Sequence, residues 1–171
     1  LAQKAGVDIF FHPAVDSIYL KSNLTSVSVS QLDQKLCGQV RSAHFAGVTT
    51  IVAKLFNLAK PHNAYFGQKD AQQFVIIKRM VTDLNFDVKL HMLPIVREAD
   101  GLAKSSRNQY LSPSEREAAS VLHRALIMGQ NMVDANKKDT AVITDTLTKI
   151  IVDEELVTLE YLEITDMDKL E

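Results

Sequence analysis

Cysteine is almost absent from this sequence: Cys37 stands alone, which rules out an internal disulfide and leaves no cysteine-based zinc site. That usage fits a reduced, cytoplasmic setting. Charge of one sign is also lacking. Nineteen Lys and Arg stand against 21 Asp and Glu, a net charge of −2, so there is no general basic field to hold a polyanion such as nucleic acid. The nearest basic pair, Lys78-Arg79, is flanked by apolar residues and reads as the wet face of a helix. No apolar run approaches the roughly 20 residues that span a bilayer, and no signal-peptide pattern occurs. The sequon Asn23-Leu24-Thr25 reads as a chance match. The five histidines lack an HxxH-type spacing, so no metal site is expected from them. GxxxxGK[ST], GxGxxG and GxSxG are all missing, which excludes a P-loop, the usual dinucleotide fingerprint and a nucleophile elbow.

What is present alternates between short apolar runs and helical periodicities. Leu1–Asp8 reads as the last turn of a helix with Gly6 as its left-handed cap, so the parent fold is expected to begin upstream. Val7–Phe11, ended by Pro13, is expected as a buried strand, and Ser26–Val29 as a short edge strand. Gly47–Ala59 places Val48, Ile51, Val52, Leu55 and Leu58 at helical spacing. Ala64–Phe66 is a strand running into Gly67, Asp70–Leu84 a helix with Phe74, Ile77, Met80, Val81 and Leu84 as its apolar stripe, and Val88–Leu93 a further strand. The order predicts an α/β fold, a parallel sheet wrapped by helices. A polar loop, Arg97–Gln109, follows.

A boundary is expected near Leu111, giving units 1–111 and 112–171. Ser112-Pro113-Ser114-Glu115 is a capping box with proline at the first helical position. The helix it starts should run over Pro113–Val133 with Ala119, Leu122, Leu126 and Met132 inward. Thr140–Val152 is expected as a helix and Leu159–Thr165 as a strand. One strand and two helices form a poor independent core, so this second unit reads as the start of a smaller α+β domain.

Two clusters carry chemistry. Gly67-Gln68-Lys69-Asp70 stands at a strand-to-helix turn, where glycine admits a ligand to the backbone and the helix start offers free N–H groups. Lys69 supplies a positive charge for phosphate, and Asp70 an acceptor for ribose hydroxyls. The plainer alternative is an ordinary N-cap at Asp70, with Gln73 as its partner and Lys69 merely solvated. Lys104-Ser105-Ser106-Arg107 sets two hydroxyls between two cations, a good match for a triphosphate; the alternative is an exposed polar loop. From the residues alone the reading stops at a nucleotide-phosphate site on a parallel sheet.

FGQKDAQQ (66–73), PIVREADGLAKSSRNQYLSPSER (94–116) and HFAGVTTIV (44–52) together resemble the motifs of the pantothenate synthetase (pantoate–β-alanine ligase) family, in the family's order and over nearly the whole chain. The resemblance implies a Rossmann-like nucleotidylyltransferase sheet, here partial, with the smaller C-terminal domain as lid. It implies ATP- and Mg2+-dependent condensation of (R)-pantoate with β-alanine through pantoyl adenylate, in a protein that is commonly a homodimer. It assigns Gly67 and Asp70 to ribose, Lys69 to the phosphates and the Val96 backbone to adenine. Lys104, Ser105, Ser106 and Arg107 would grip the triphosphate; Lys69, Ser105, Ser106 and Arg107 would carry catalysis. Gln73, His44, Val48, Ile51 and Val52 would face pantoate and β-alanine. The family's PTMGxLHxGH motif is not in this chain, so the chain alone is expected to be inactive. Lys104 stands where the family often has Met or Leu, Ala46 where Arg is usual, and Cys37–Ala43 departs from the family pattern. Alternatives in keeping with the same residues are an adenylyltransferase for another carboxylate and a non-catalytic dimerising or nucleotide-binding module.

Overall fold

The computed structural model describes residues 1–41 and 43–171; of the Cys37–Ala43 stretch, Ser42 lies outside the described residues. The helices are α1 (Val15–Ile18), α2 (Cys37–Val40), α3 (His44–Ala59), α4 (Ala71–Asp83), α5 (Pro113–Ala118), α6 (Val121–Asp134) and α7 (Thr140–Val152). The strands are β1 (Asn63–Gly67) and β2 (Lys89–Leu93). They pair in parallel from Asn63↔Lys89 to Gly67↔Leu93, with α4 as the crossover between them. This is the α/β arrangement the sequence predicts, a partial Rossmann-like parallel sheet.

The core explains the local choices. Phe56 and Ala53 on α3 meet Ile77 and Met80 on α4, and Ala64, Phe66 and Leu90 of the strands pack against them. Ile77 and Met80 give the α4 side that meets the strands, and Val75 and Ile76 are buried on its other side in a neighbouring cluster with Leu32 and Phe45. Beyond β1 and β2 the expected strands differ. Val7–Phe11 is not a strand but exposed extended chain, with Ile9 at 83% and Phe10 at 73% exposure. An apolar run becomes a strand only beside a partner edge, and none pairs with it among the described residues. Ser26–Val29 is likewise outside any ladder. Threonine hydroxyls of α3 take the place of a strand: Thr49 Oγ1 donates to Val27 O at 2.6 Å, and Val27 N donates to Thr50 Oγ1 at 2.9 Å. Leu159–Thr165 also joins no ladder, although Leu159 and Leu162 pad the second core.

At the chain start, Gln3–Ala5 forms a single 3-10 turn and Gly6 caps it at φ 76°, a left-handed position that suits glycine. The capping box at Ser112 is formed, with Glu115 Oε2 accepting from Ser112 N at 2.8 Å. The long helix expected over Pro113–Val133 is instead α5 and α6, separated at Ala119-Ser120. Ser120 N donates to Glu117 O and His123 N to Ser120 O, bonds of 3-10 type that turn the chain further per residue than an α-helix does. The apolar stripe therefore rotates by one position. Val121, Ala125 and Gly129 are buried, while Leu122 and Leu126, expected inward, are 45% and 54% exposed. Against Ala125 and Gly129 pack side chains of α7, Ile143, Leu147 and Ile151 among them. Near the end of the sequence the chain returns to α3 and α4, where Leu170 is buried with Leu32, Phe45, Val75 and Ile76 in a cluster distinct from the one that packs on the strands. Among the described residues no helix is long and apolar enough to cross a membrane.

Candidate functional site

Parallel strands put their carboxyl ends on one edge, and here Gly67 and Leu93 are register partners at that edge. Both chemistry-bearing segments leave from it. After Gly67 a single 3-10 turn, Gln68–Asp70, leads into α4. A Cβ at Gly67 would meet nothing within 4 Å, so protein packing does not require glycine there and the backbone lies open to a ligand. Asp70 stands at the N-cap position of α4, yet its side chain caps nothing. Among the described residues its carboxylate pairs only with neighbouring Lys69, at 3.3 Å and in solvent. The N-cap alternative for Asp70 therefore does not hold.

The second segment is a small hairpin. Arg97 and Ala103 form an antiparallel bridge, Glu98 N donates to Leu102 O at 2.8 Å and Lys104 N to Val96 O at 2.9 Å. Gly101 at its tip has φ 90°. The chain then enters the 3-10 stretch Ser106–Tyr110, where Ser105 Oγ accepts from Arg107 N at 3.2 Å and Asn108 Nδ2 donates to Ala103 O at 3.1 Å.

Between the two segments lies a cleft of about 510 Å3. Lys69, Asp70, Gln73, Ser105, Ser106, Arg107 and His44, all expected at a site, line it together. Val48, Ile51, Val52, Gly67, Val96 and Lys104 do not. Val48 and Val52 pack on the α3–α4 core. Ile51 is half-buried elsewhere on α3. The Val96 carbonyl is taken by Lys104 N–H, and Lys104 Nζ lies 3.9 Å from Glu98. The lining also holds residues that sequence reasoning missed. Arg41 adds a third cation. Gln72 holds the wall in place, its amide donating to Leu32 O at 3.1 Å and Lys35 O at 2.7 Å. Tyr161 arrives from the far end of the chain, and its phenol is pushed up by burial, then by Cys37 and Glu160. Gln72 stood inside the FGQKDAQQ motif and was within reach; nothing local in the sequence signals Tyr161.

Lys69, Arg107 and Arg41 face a single carboxylate, Asp70, across this lining. Two serine hydroxyls and the start of α4 add neutral donors. The balance suits a phosphate ester, with point charge from Lys, a planar fork from Arg and short donors from Ser. A second cavity of about 570 Å3 lies between Ser17–Thr25 and the end of α3, but Lys54 is its only cation, and the Ile18 carbonyl and the Tyr19 ring already occupy that ammonium.

Fold and site thus define an α/β protein with a phosphate-type cleft at the carboxyl edge of its parallel strands. The sequence profile of the family described as Pantoate-beta-alanine ligase matches residues 1–171. The chain belongs to that family. It is 47% identical over 171 residues to the pantothenate synthetase of Caldicellulosiruptor bescii, covering all of this chain and 61% of that protein. It is 50% identical over 166 residues to that of Heliobacterium modesticaldum, covering 97% of this chain and 59% of the relative. The crystal structure of pantothenate synthetase from Thermus thermophilus superposes with a TM-score of 0.95 at 41% identity, over 99% of this chain and 61% of that one. The pantoate-beta-alanine ligase of Francisella tularensis, solved with beta-gamma ATP and beta-alanine, superposes with a TM-score of 0.70 at 30% identity, over 87% of this chain and 55% of its own. The chain spans about three fifths of the length of these curated relatives.

Proposed function

We propose that this chain contributes the triphosphate and pantoate wall of a ligase that joins pantoate to β-alanine at the expense of ATP. The observation that carries the reading is the convergence of Lys69, Asp70 and Gln73 with Ser105, Ser106 and Arg107 on one cleft, within a chain that the family profile matches from end to end. In this reading the pantoate carboxylate attacks the α-phosphorus and pyrophosphate departs. The β-alanine amine then attacks the resulting acyl adenylate and AMP leaves. No protein nucleophile is required. The chain's part is to align the reactants and to neutralise charge that grows on the departing pyrophosphate. Lys69 and Arg107 would do so from opposite sides, with Ser105 and Ser106 donating to phosphate oxygens. Asp70 and the open Gly67 backbone would hold the ribose, the Val96 backbone the adenine, and Gln73 and His44 the pantoate. Val48, Ile51 and Val52 would act from behind, by shaping the α3 wall. Lys104 would add charge at the loop's edge.

Mg2+ would enter with the triphosphate, since it usually binds through one or two carboxylates plus phosphate oxygens. Among the described residues Asp70 is the one carboxylate lining the cleft and the ribose takes it in this reading, so the metal would be held mainly by phosphate oxygens and water rather than by a protein cage. The reading also takes the chain as units 1–111 and 112–171, the second acting as a lid, and the protein as a cytoplasmic homodimer. Sedimentation with and without ATP tests the assembly. The functional test is pantoate-dependent exchange of labelled pyrophosphate into ATP, followed by β-alanine-dependent AMP release. Exchange that follows pantoate and not other hydroxy acids is expected of the protein carrying this chain. Exchange with an unrelated carboxylate alone would overturn the substrate assignment. The 171 residues by themselves are expected to bind nucleotide without appreciable turnover, and robust turnover by them would refute that.

A further inference from the structure

The phosphate-type loop is tied to the helices that follow it through its tip, Asp100-Gly101, which meets both α5 and α6. At the tip of the Val96–Lys104 hairpin, the Asp100 carboxylate meets the Arg116 guanidinium of α5 with two oxygens, one of them 3.0 Å from Nη2. Asp100 Oδ1 also accepts from Leu102 N at 3.1 Å, and Arg97 Nη1 donates to Gly101 O at 2.9 Å, which closes the tip around the pair. Gly101 lies against the His123 ring of α6; a Cβ there would collide with Nδ1, and φ of 90° already disfavours any other residue. From the tip the stem runs straight to Ala103, whose carbonyl is held by Asn108, and then to Ser105–Arg107.

We propose that Arg116 is a positioning residue: through Asp100 it sets the hairpin, and through the hairpin it sets the geometry with which Ser105, Ser106 and Arg107 meet a nucleotide triphosphate. This rests on the reading of the cleft as an ATP site. The planar guanidinium donates through Nη2 and sets Nη1 against the other carboxylate oxygen as an ion contact, which constrains direction more than a single lysine contact does. The consequence is selective. Loss of the pair loosens the Ser105–Arg107 side and leaves Gln73 and His44, carried on α4 and α3, where they are.

The test uses the full chain with Arg116→Gln, Arg116→Lys, Gly101→Ala and, as control, Asp139→Ala, which weakens the cap of α7 and touches neither α5 nor the hairpin. Affinity for a β,γ-non-hydrolysable ATP analogue, affinity for pantoate, thermal unfolding and amide exchange at Lys104 are measured for each. Arg116→Gln and Gly101→Ala are expected to weaken the ATP analogue roughly threefold to tenfold, with pantoate unchanged and faster exchange at Lys104. Arg116→Lys should recover part of the loss, and Asp139→Ala should lower the melting temperature without altering ATP affinity. Equal losses in the control, or unchanged exchange at Lys104 in Arg116→Gln, would overturn the proposal. A wild-type chain that takes up no ATP would sink the functional reading instead. The exchange arm needs no nucleotide and still decides whether Arg116 orders the loop.

Discussion

Replacing Thr50 by valine removes one oxygen and almost no volume, so it isolates what the α3 hydroxyls do for the Ser26–Val29 segment. Thr50 Oγ1 accepts from Val27 N at 2.9 Å and donates to Ala46 O at 2.6 Å. Valine leaves Val27 N–H without its partner in a partly buried place, while Ala46 O keeps its role in the helix. A stranded donor of this kind costs on the order of 1–3 kcal/mol. Thr49→Val should cost less, about 1 kcal/mol, because an under-satisfied carbonyl is tolerated better than an orphaned N–H. Thr49 Oγ1 has one proton and shares it between Val27 O at 2.6 Å and Phe45 O at 2.8 Å, so only one bond is lost at a time. Urea unfolding followed by circular dichroism is the assay. With a slope of roughly 1–3 kcal/mol per molar urea, Thr50→Val should move the midpoint down by about 1 M with the slope unchanged. Amide exchange at Val27 should quicken in parallel. A Thr50→Val midpoint within error of the wild type, or a Thr49→Val loss larger than that of Thr50→Val, would refute the reasoning.

Arg107→Ala should abolish most binding of an ATP analogue while leaving thermal unfolding within about 0.5 kcal/mol of wild type, as for an exposed surface change; a matched loss of stability would argue for a structural role. Asp139→Ala removes the side chain that accepts from Ala141 N at 2.9 Å and Val142 N at 3.2 Å, and should cost about 1 kcal/mol of stability by urea titration. Arg116 beside Asp100, and backbone donors at Asp166, hold those carboxyls below the ordinary 3.8. Ser112, through its backbone N–H and then its hydroxyl, holds Glu115 below 4.5. Their folded values lie below the unfolded ones, so the contribution is complete above the unfolded values and fades as pH falls through the lowered folded ones. Melting temperature should therefore drop on acidification below those ordinary values, and Asp100→Asn should flatten that limb. An acid limb unchanged by the substitution would remove Asp100 from the account.

The helices were legible because their stripes are long. Ile77 and Met80 of the stripe expected on α4, and the Ser112 capping box, follow from spacing and cap chemistry, whereas Val75 and Ile76 are buried beside that stripe and Leu84, expected on it, is exposed. The strands were legible only where a partner exists. Ala64–Phe66 and Val88–Leu93 have each other, whereas Val7–Phe11 and Leu159–Thr165 carry the same apolar signal with no ladder among the described residues. Ala119-Ser120 shows the limit of periodicity: one tight turn rotated the buried face of α6 and turned Leu122 and Leu126 outward. At the cleft, short motifs carried Lys69 to Gln73 and Ser105 to Arg107, residues close in sequence and exposed for a reason other than packing. Tyr161 lies more than fifty residues beyond them, on a segment whose Leu159 and Leu162 pack against α6 and α7. No local pattern encodes that.

The central claim is that Gly67–Gln73 and Ser105–Arg107 form one triphosphate-binding cleft. Adding a β,γ-non-hydrolysable ATP analogue to the 15N-labelled chain and following amide shifts tests it most directly. Saturable shifts concentrated at Gly67–Gln73 and Ser105–Arg107, and absent in Arg107→Ala, are predicted. Shifts centred on Ser17–Thr25 and Lys54, or none at saturating nucleotide, would contradict it.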